Sequence, residues 1–169
     1  ALAGLSGYVE AAIEERSRTP RDDLVTTLLQ AQESDGRLTR DELVVSLVFL
    51  AFAGMETTRN QLGLALQTLL AHPDQWRLLA ERPDLGPAAV EEVMRVNPTV
   101  TWVTREAIED VDLHGLLIPA GGIVQVLSHA AGTDPDAVPQ PAFDLARAAD
   151  RPPHLGFGGG VHHCLGHFV

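Results

Sequence analysis

Cys164 is the only cysteine in the 169 residues, and it lies in the stretch Phe157-Gly158-Gly159-Gly160-Val161-His162-His163-Cys164-Leu165-Gly166. A lone thiolate presented by nearly bare backbone is a ligand for a soft metal centre. The glycines at 156, 158, 159 and 160 let the main chain take positive φ and approach a flat partner closely. Their uncovered N–H groups can point at the sulfur and hold it as an anion. A helix opening over residues 165–169 would add its positive end to that effect. From the residues alone two other readings stay open. A glycine-rich run is an ordinary turn and a single cysteine an ordinary small hydrophobe. Alternatively, His154, His162, His163, Cys164 and His167 supply ligand types for zinc.

Six positions, Phe157, Gly158, Gly160, His162, Cys164 and Gly166, fit one pattern, F-G-x-G-x-H-x-C-x-G. From average residue usage such a match arises by chance at a given position with a probability on the order of 10⁻⁸. The stretch resembles the heme-thiolate loop of the cytochrome P450 family without a mismatch. The resemblance implies Cys164 as axial ligand of the iron of heme b (iron protoporphyrin IX), with Phe157, Gly158, Gly160 and Gly166 shaping the loop against the cofactor. A thiolate in that position donates electron density that favours O–O cleavage.

A second cluster is Ala53-Gly54-Met55-Glu56-Thr57-Thr58. Gly54 lacks a side chain, so something flat can lie against a helix there. Thr57 can bond its hydroxyl to a carbonyl one turn back, which loosens a helix. An acid followed by an alcohol in a widened, buried helix is suited to proton delivery. Tolerated polar residues on a solvated face would look the same. The segment is similar to the family's oxygen-binding helix, which implies that Glu56 and Thr57 help protonate bound dioxygen, with Gly54 beside the heme and Ala53 and Thr57 at the substrate.

Further along, Glu91-Glu92-Val93-Met94-Arg95 places acids three and four residues before an arginine, a helical pairing distance. In isolation such a pair is a solvated surface ion pair of little worth. Beside the cysteine loop, Glu92 and Arg95 match the family's E-x-x-R, which implies a buried structural pair required for heme incorporation. The resemblance also places Arg105, in Arg105-Glu106-Ala107, together with His162 and His154, at the heme propionates. Val100, Thr101 and Trp102 follow the E-x-x-R helix where the family lines its substrate pocket. Ordinary surface cations and a core tryptophan are the plain alternatives.

These residues need elements to position them. Helices are expected over 2–18 and from Pro20-Arg21-Asp22-Asp23 to about residue 32, with a turn at Ser34-Asp35-Gly36. Thr39 and Glu42 form a capping box with Asp41 at the positive end, and Leu38 can staple onto Leu43. No breaker follows until His72-Pro73, which predicts a long central helix over about 40–71, apolar all round across 43–53 and therefore buried on every side. Pro73 and Pro83 bracket a short helix with Trp76. Pro87 starts another that stops before Pro98. Residues 101–107, 111–113, 116–118 and 123–127 read as strands. The stretch 132–153 is rich in Pro, Asp and Ala, the kind of long loop that is functional or disordered. The expectation is a mainly α chain with small β-sheets (α+β), resembling the C-terminal part of a cytochrome P450 fold.

Hydrophobic residues make up 45% of the chain, enough for a core, and the net charge of −11 with no basic block excludes a nucleic-acid partner. No run is long and apolar enough to span a bilayer, and one cysteine suits a reducing compartment, so a cytoplasmic location is expected. The resemblance implies that residues 1–169 are one partial P450 domain lacking its N-terminal half and C-terminal end. Its implied activity is insertion of one atom of dioxygen into a small apolar organic substrate, with electrons from a separate ferredoxin-type or similar donor. A zinc protein using His154, His162, His163 and Cys164 is the alternative, as is a non-catalytic remnant. Gly132-Thr133 before Asp134-Pro135 departs from the family's usual Asn-Arg, which puts the local hydrogen bonding there in question.

Overall fold

In the computed structural model, which describes residues 2–36, 38–147 and 153–168, the chain forms two compact units, 1–56 and 57–169. The first holds α1 (Leu2–Arg18), α2 (Leu24–Asp35) and the start of α3 (Arg40–Ala71). Asp23 caps α2 by accepting from Thr26 N–H at 2.9 Å, and Gly36 ends the helix at φ 60, a conformation open to glycine. The capping box of α3 is formed on both sides. Thr39 N–H donates to Glu42 Oε2 at 2.7 Å, and Glu42 N–H donates to Thr39 Oγ1 at 3.2 Å. The core of this unit is Val9, Ile13, Leu29, Leu43 and Leu47.

The expectation that α3 is buried on every side is corrected. Leu43 and Leu47 are buried, but Val45, Phe49 and Phe52 are 66%, 65% and 55% exposed. Among the described residues of this unit, α1 and α2 share a core with α3, so one side of the helix is covered and the apolar residues on the other stay largely exposed.

The second unit holds the rest of α3, then α4 (Pro73–Glu81), α5 (Gly86–Val96), four short strands and α6 (Ser128–Thr133). Pro at the first turns of α4 and α5 supplies the starts, since its missing N–H falls where none is needed. Strand β1 (Val103–Glu106) pairs antiparallel with β4 (Ile123–Val126), Arg105 opposite Val124. Between them, β2 (Val111–Leu113) and β3 (Leu116–Ile118) form a hairpin whose turn puts His114 at φ 52 and Gly115 at φ 87. Positive φ at both central residues matches the right-handed twist of the strands. The core gathers Leu69 of α3, Ala89 and Val93 of α5, and Phe143 and Leu145 of the long loop. The expected helix over 165–169 is a 3₁₀ turn, Leu165–Phe168, and Val169 lies outside the described residues.

Candidate functional site

Helix α5 is the foundation of the site because its two sides hold different parts of the chain. One side buries Glu92 and Arg95, which are 0% and 2% exposed. Arg95 Nε donates to Glu92 Oε2 at 2.9 Å and Nη2 to Oε1 at 2.7 Å, a bidentate fork. The remaining guanidinium donors reach the carbonyls of Gly132 (2.6 Å), Pro141 and Ala142 (both 3.1 Å). Glu92 Oε1 also accepts from Asp144 N–H at 3.0 Å and from Arg147 Nε at 3.3 Å. Burial pushes the Glu92 carboxyl up, but the bonds from Arg95 and Asp144 and the charges of Arg95 and Arg147 outweigh it and hold the group below its usual value.

Gly132 answers the question its departure raised. Its carbonyl bonds Arg95, and a Cβ there would lie 2.3 Å from the Arg95 carbonyl oxygen, so no side chain fits. Sequence reasoning missed Arg147, which donates to the carbonyls of Gln140 and Ala142 besides Glu92. The sequence offered only a weak signal, apolar Phe143 and Leu145 at alternate positions with Arg147 continuing the spacing, and nothing in it pointed to Glu92. The same reasoning also missed Gln75, whose Oε1 accepts from Leu145 N–H at 2.9 Å. The stretch expected to be functional or disordered is thus tied down over 140–147. Residues 148–152 lie outside the described residues.

The other side of α5 carries the cysteine loop. His154, with its side chain 6% exposed, sets Nε2 3.4 Å from Glu91 Oε2 and accepts from Gly156 N–H at Nδ1 (3.1 Å). Burial lowers its pKa and the Glu91 charge opposes that. A Cβ on Gly156 would meet Met94 Cε at 2.7 Å. Phe157 lies between His154, tilted against it with ring centroids 5.3 Å apart, and His167, in edge-to-face contact at 4.9 Å.

Above this base the loop closes on itself. Cys164 N–H donates to Phe157 O at 3.0 Å, Gly158 N–H to Leu155 O at 2.9 Å and His163 N–H to Gly160 O at 3.0 Å. Gly158 and Gly160 take φ 70 and 72, where only glycine sits without strain. The thiol of Cys164 is exposed, Val161 and Leu165 beside it are 97% and 73% exposed, and nothing lies within 4 Å of a Cβ built on Gly159 or Gly160. An exposed thiol on bare backbone with apolar side chains beside it has the chemistry to suit a flat, largely apolar macrocycle such as heme. Among the described residues no group of three or more His, Cys, Asp and Glu could hold a metal ion, so nothing here favours the zinc alternative.

The other expected site residues are placed as follows. His162 is exposed in a 3₁₀ turn, and Gly166 lies beside the sulfur, a Cβ there being 3.8 Å from it. Arg105 is exposed on β1, with Nη1 donating to the Thr104 carbonyl at 2.9 Å. Val100 is half-buried, whereas Thr101 and Trp102 are exposed. Ala53, Gly54 and Glu56 belong to the first unit and Thr57 opens the second, all within an α3 that is helical throughout. Gly54 has nothing within 4 Å of a built Cβ. No helix among the described residues is long and apolar enough to cross a membrane.

The luteothin monooxygenase of Streptomyces thioluteus is 41% identical over 167 residues, covering 98% of this chain and 41% of that protein. The biotin biosynthesis cytochrome P450 of Bacillus subtilis is 40% identical over 160 residues, 94% of this chain and 40% of its own length. The crystal structure of CalO2 superposes with a TM-score of 0.91 at 40% identity, covering 98% of this chain and 41% of that one. P450BioI, solved in complex with an acyl carrier protein ligated to hexadec-9Z-enoic acid, gives 0.88 at 37% identity, covering 98% of this chain and 42% of that one. The chain therefore spans about two-fifths of the length of the relatives it matches. The family model described as cytochrome P450 matches residues 3–169, and the chain belongs to the cytochrome P450 family as part of its C-terminal portion.

Proposed function

We propose that this chain is the thiolate-bearing part of a heme-thiolate monooxygenase acting on a small apolar organic substrate. The observation that carries the reading is the exposed Cys164 thiol on a glycine loop braced against α5. Cys164 would ligate the iron, with Phe157, Gly158, Gly160 and Gly166 allowing close approach of the backbone. Arg105, His162 and His154 are the candidate donors to the propionates. When bound, heme supplies the activation of dioxygen, so that one oxygen atom enters the substrate and the other leaves as water.

The chain's own residues orient and deliver. Glu56 and Thr57 would hold and pass protons, while Val100, Thr101 and Trp102 would offer the apolar and hydroxyl surface against which a substrate packs. Glu92 and Arg95 touch no reactant; they brace α5 and the loop that leads to Cys164. Electrons would come from a separate donor, ferredoxin-type or similar. A cytoplasmic location accords with the single exposed cysteine.

Substitution of Cys164 tests the ligand directly. In the whole-length enzyme Cys164→Ser is expected to abolish the red-shifted Soret band of the ferrous carbonyl complex. Retention of that band sinks the assignment.

A further inference from the structure

The segment leaving α5 is gripped by residues that the thiolate loop does not use. Asn97 caps α5, and the Pro98 that follows is buried. Gln61, in the part of α3 that belongs to the second unit, holds the backbone on both sides of that proline. Its Nε2 donates to Asn97 O at 3.1 Å and its Oε1 accepts from Thr99 N–H at 2.8 Å. Asn97 Nδ2 in turn donates to Thr68 Oγ1 at 3.1 Å, one further anchor on α3. Downstream, the buried Ser128 donates its hydroxyl to Val100 O at 2.5 Å, and His129 N–H donates to Thr101 O at 3.3 Å. The backbone over 97–101 is thus pinned from α3 at one end and from α6 at the other. Pro98 and the Asn97 side chain face inward, whereas Thr101 and the neighbouring Trp102, 49% exposed, face outward.

We propose that Gln61 is a specificity-determining positioning residue. It fixes where Val100, Thr101 and Trp102 stand relative to the turn of α3 that carries Thr57. Thr57 and Gln61 are four residues apart, so they lie on the same side of the helix one turn from each other. The proposal rests on the reading of those three residues as a substrate wall. The chemistry at 61 is restrictive, because the clamp needs one donor and one acceptor on the same side chain. Glutamate keeps the acceptor for Thr99 N–H but turns a second oxygen toward the Asn97 carbonyl. Leucine removes both bonds at similar size, leaving a carbonyl and an N–H unpaired in a half-buried place.

The test compares the whole-length holoenzyme with its Gln61→Leu and Gln61→Glu variants. All three are expected to keep the red-shifted ferrous carbonyl band, since the bonds of Gln61 lie outside the cysteine loop. Amide exchange over 97–102 should rise about tenfold in Gln61→Leu and by less in Gln61→Glu. The ratio of dissociation constants for 4-phenylimidazole and imidazole, read from the Soret shift, should move at least about threefold in Gln61→Leu, the size expected when a hydrogen bond is lost. An intact carbonyl band with unchanged exchange overturns the proposal, as does faster exchange with an unchanged ratio, which would make Gln61 merely structural. Should Gln61→Leu fail to accumulate, Gln61→Glu carries the same comparison. Absence of the band from the unaltered enzyme instead overturns the heme-thiolate reading on which this one depends.

Discussion

At Glu92 a fully buried carboxylate accepts from the Arg95 guanidinium, the Asp144 N–H and the Arg147 guanidinium. A charge in that position is tolerable only while its partners remain, because water cannot replace them. Glu92→Ala is accordingly expected to cost the whole-length enzyme about 3–5 kcal/mol, the range for breaking a buried pair, with heme occupancy falling alongside. The acid limb tells charge from shape. The folded Glu92 titrates below its usual value, so its contribution is fully present above the ordinary carboxylate pKa near 4 and is lost as pH falls through the lower folded value. Glu92→Gln should therefore be less stable than the unaltered enzyme at neutral pH, with the gap narrowing in denaturant melts run below about pH 4. A gap that stays constant with pH would deny the charge any role.

Among the elements, α2 shows how one cap does two jobs. Asp23 accepts from Thr26 N–H and is paired with Arg16 of α1. The Arg16 bond first, then the Thr26 N–H, bring its pKa to about 2. Stability from this group is present above the ordinary aspartate value and drains away as pH falls toward about 2. Asp23→Asn keeps the cap acceptor and drops the charge, so its thermal midpoint should fall less than that of Asp23→Ala. Equal falls would mean that the ion pair carries everything.

The element level is also where the sequence was most readable. The capping box at Thr39 and Glu42, the prolines opening α4 and α5, and the strands over 111–113 and 116–118 act through neighbours a few residues away, and each appears where its local chemistry placed it. The cysteine loop was legible for the same reason, its glycines and its sulfur being contiguous. Arg147 was hidden because its meaning lies in Glu92, 55 residues earlier, and the clamp of Gln61 on Thr99 spans 38. Burial around 43–53 was misjudged because a sequence shows how apolar a helix is and not which elements stand beside it.

For the molecule as a whole, the bonds of Arg95 and Glu92 join parts of the chain 37 to 55 residues apart. Helices and hairpins close short loops and form early, whereas pairings across such distances must first meet a larger loss of chain freedom. The bonds from Arg95 and Glu92 to residues 132–147 are therefore expected to form late, after the transition state for folding has been crossed. Their weakening should appear almost entirely in the rate of leaving the native state. In stopped-flow denaturant jumps on the whole-length apoprotein, Arg95→Lys is expected to steepen unfolding by about tenfold or more, in line with a loss above 1.4 kcal/mol, while refolding proceeds at nearly its original speed. A comparable drop in the refolding rate would place these bonds in the nucleus instead. On this account Arg95 acts as a latch that closes last and sets the lifetime of the folded enzyme.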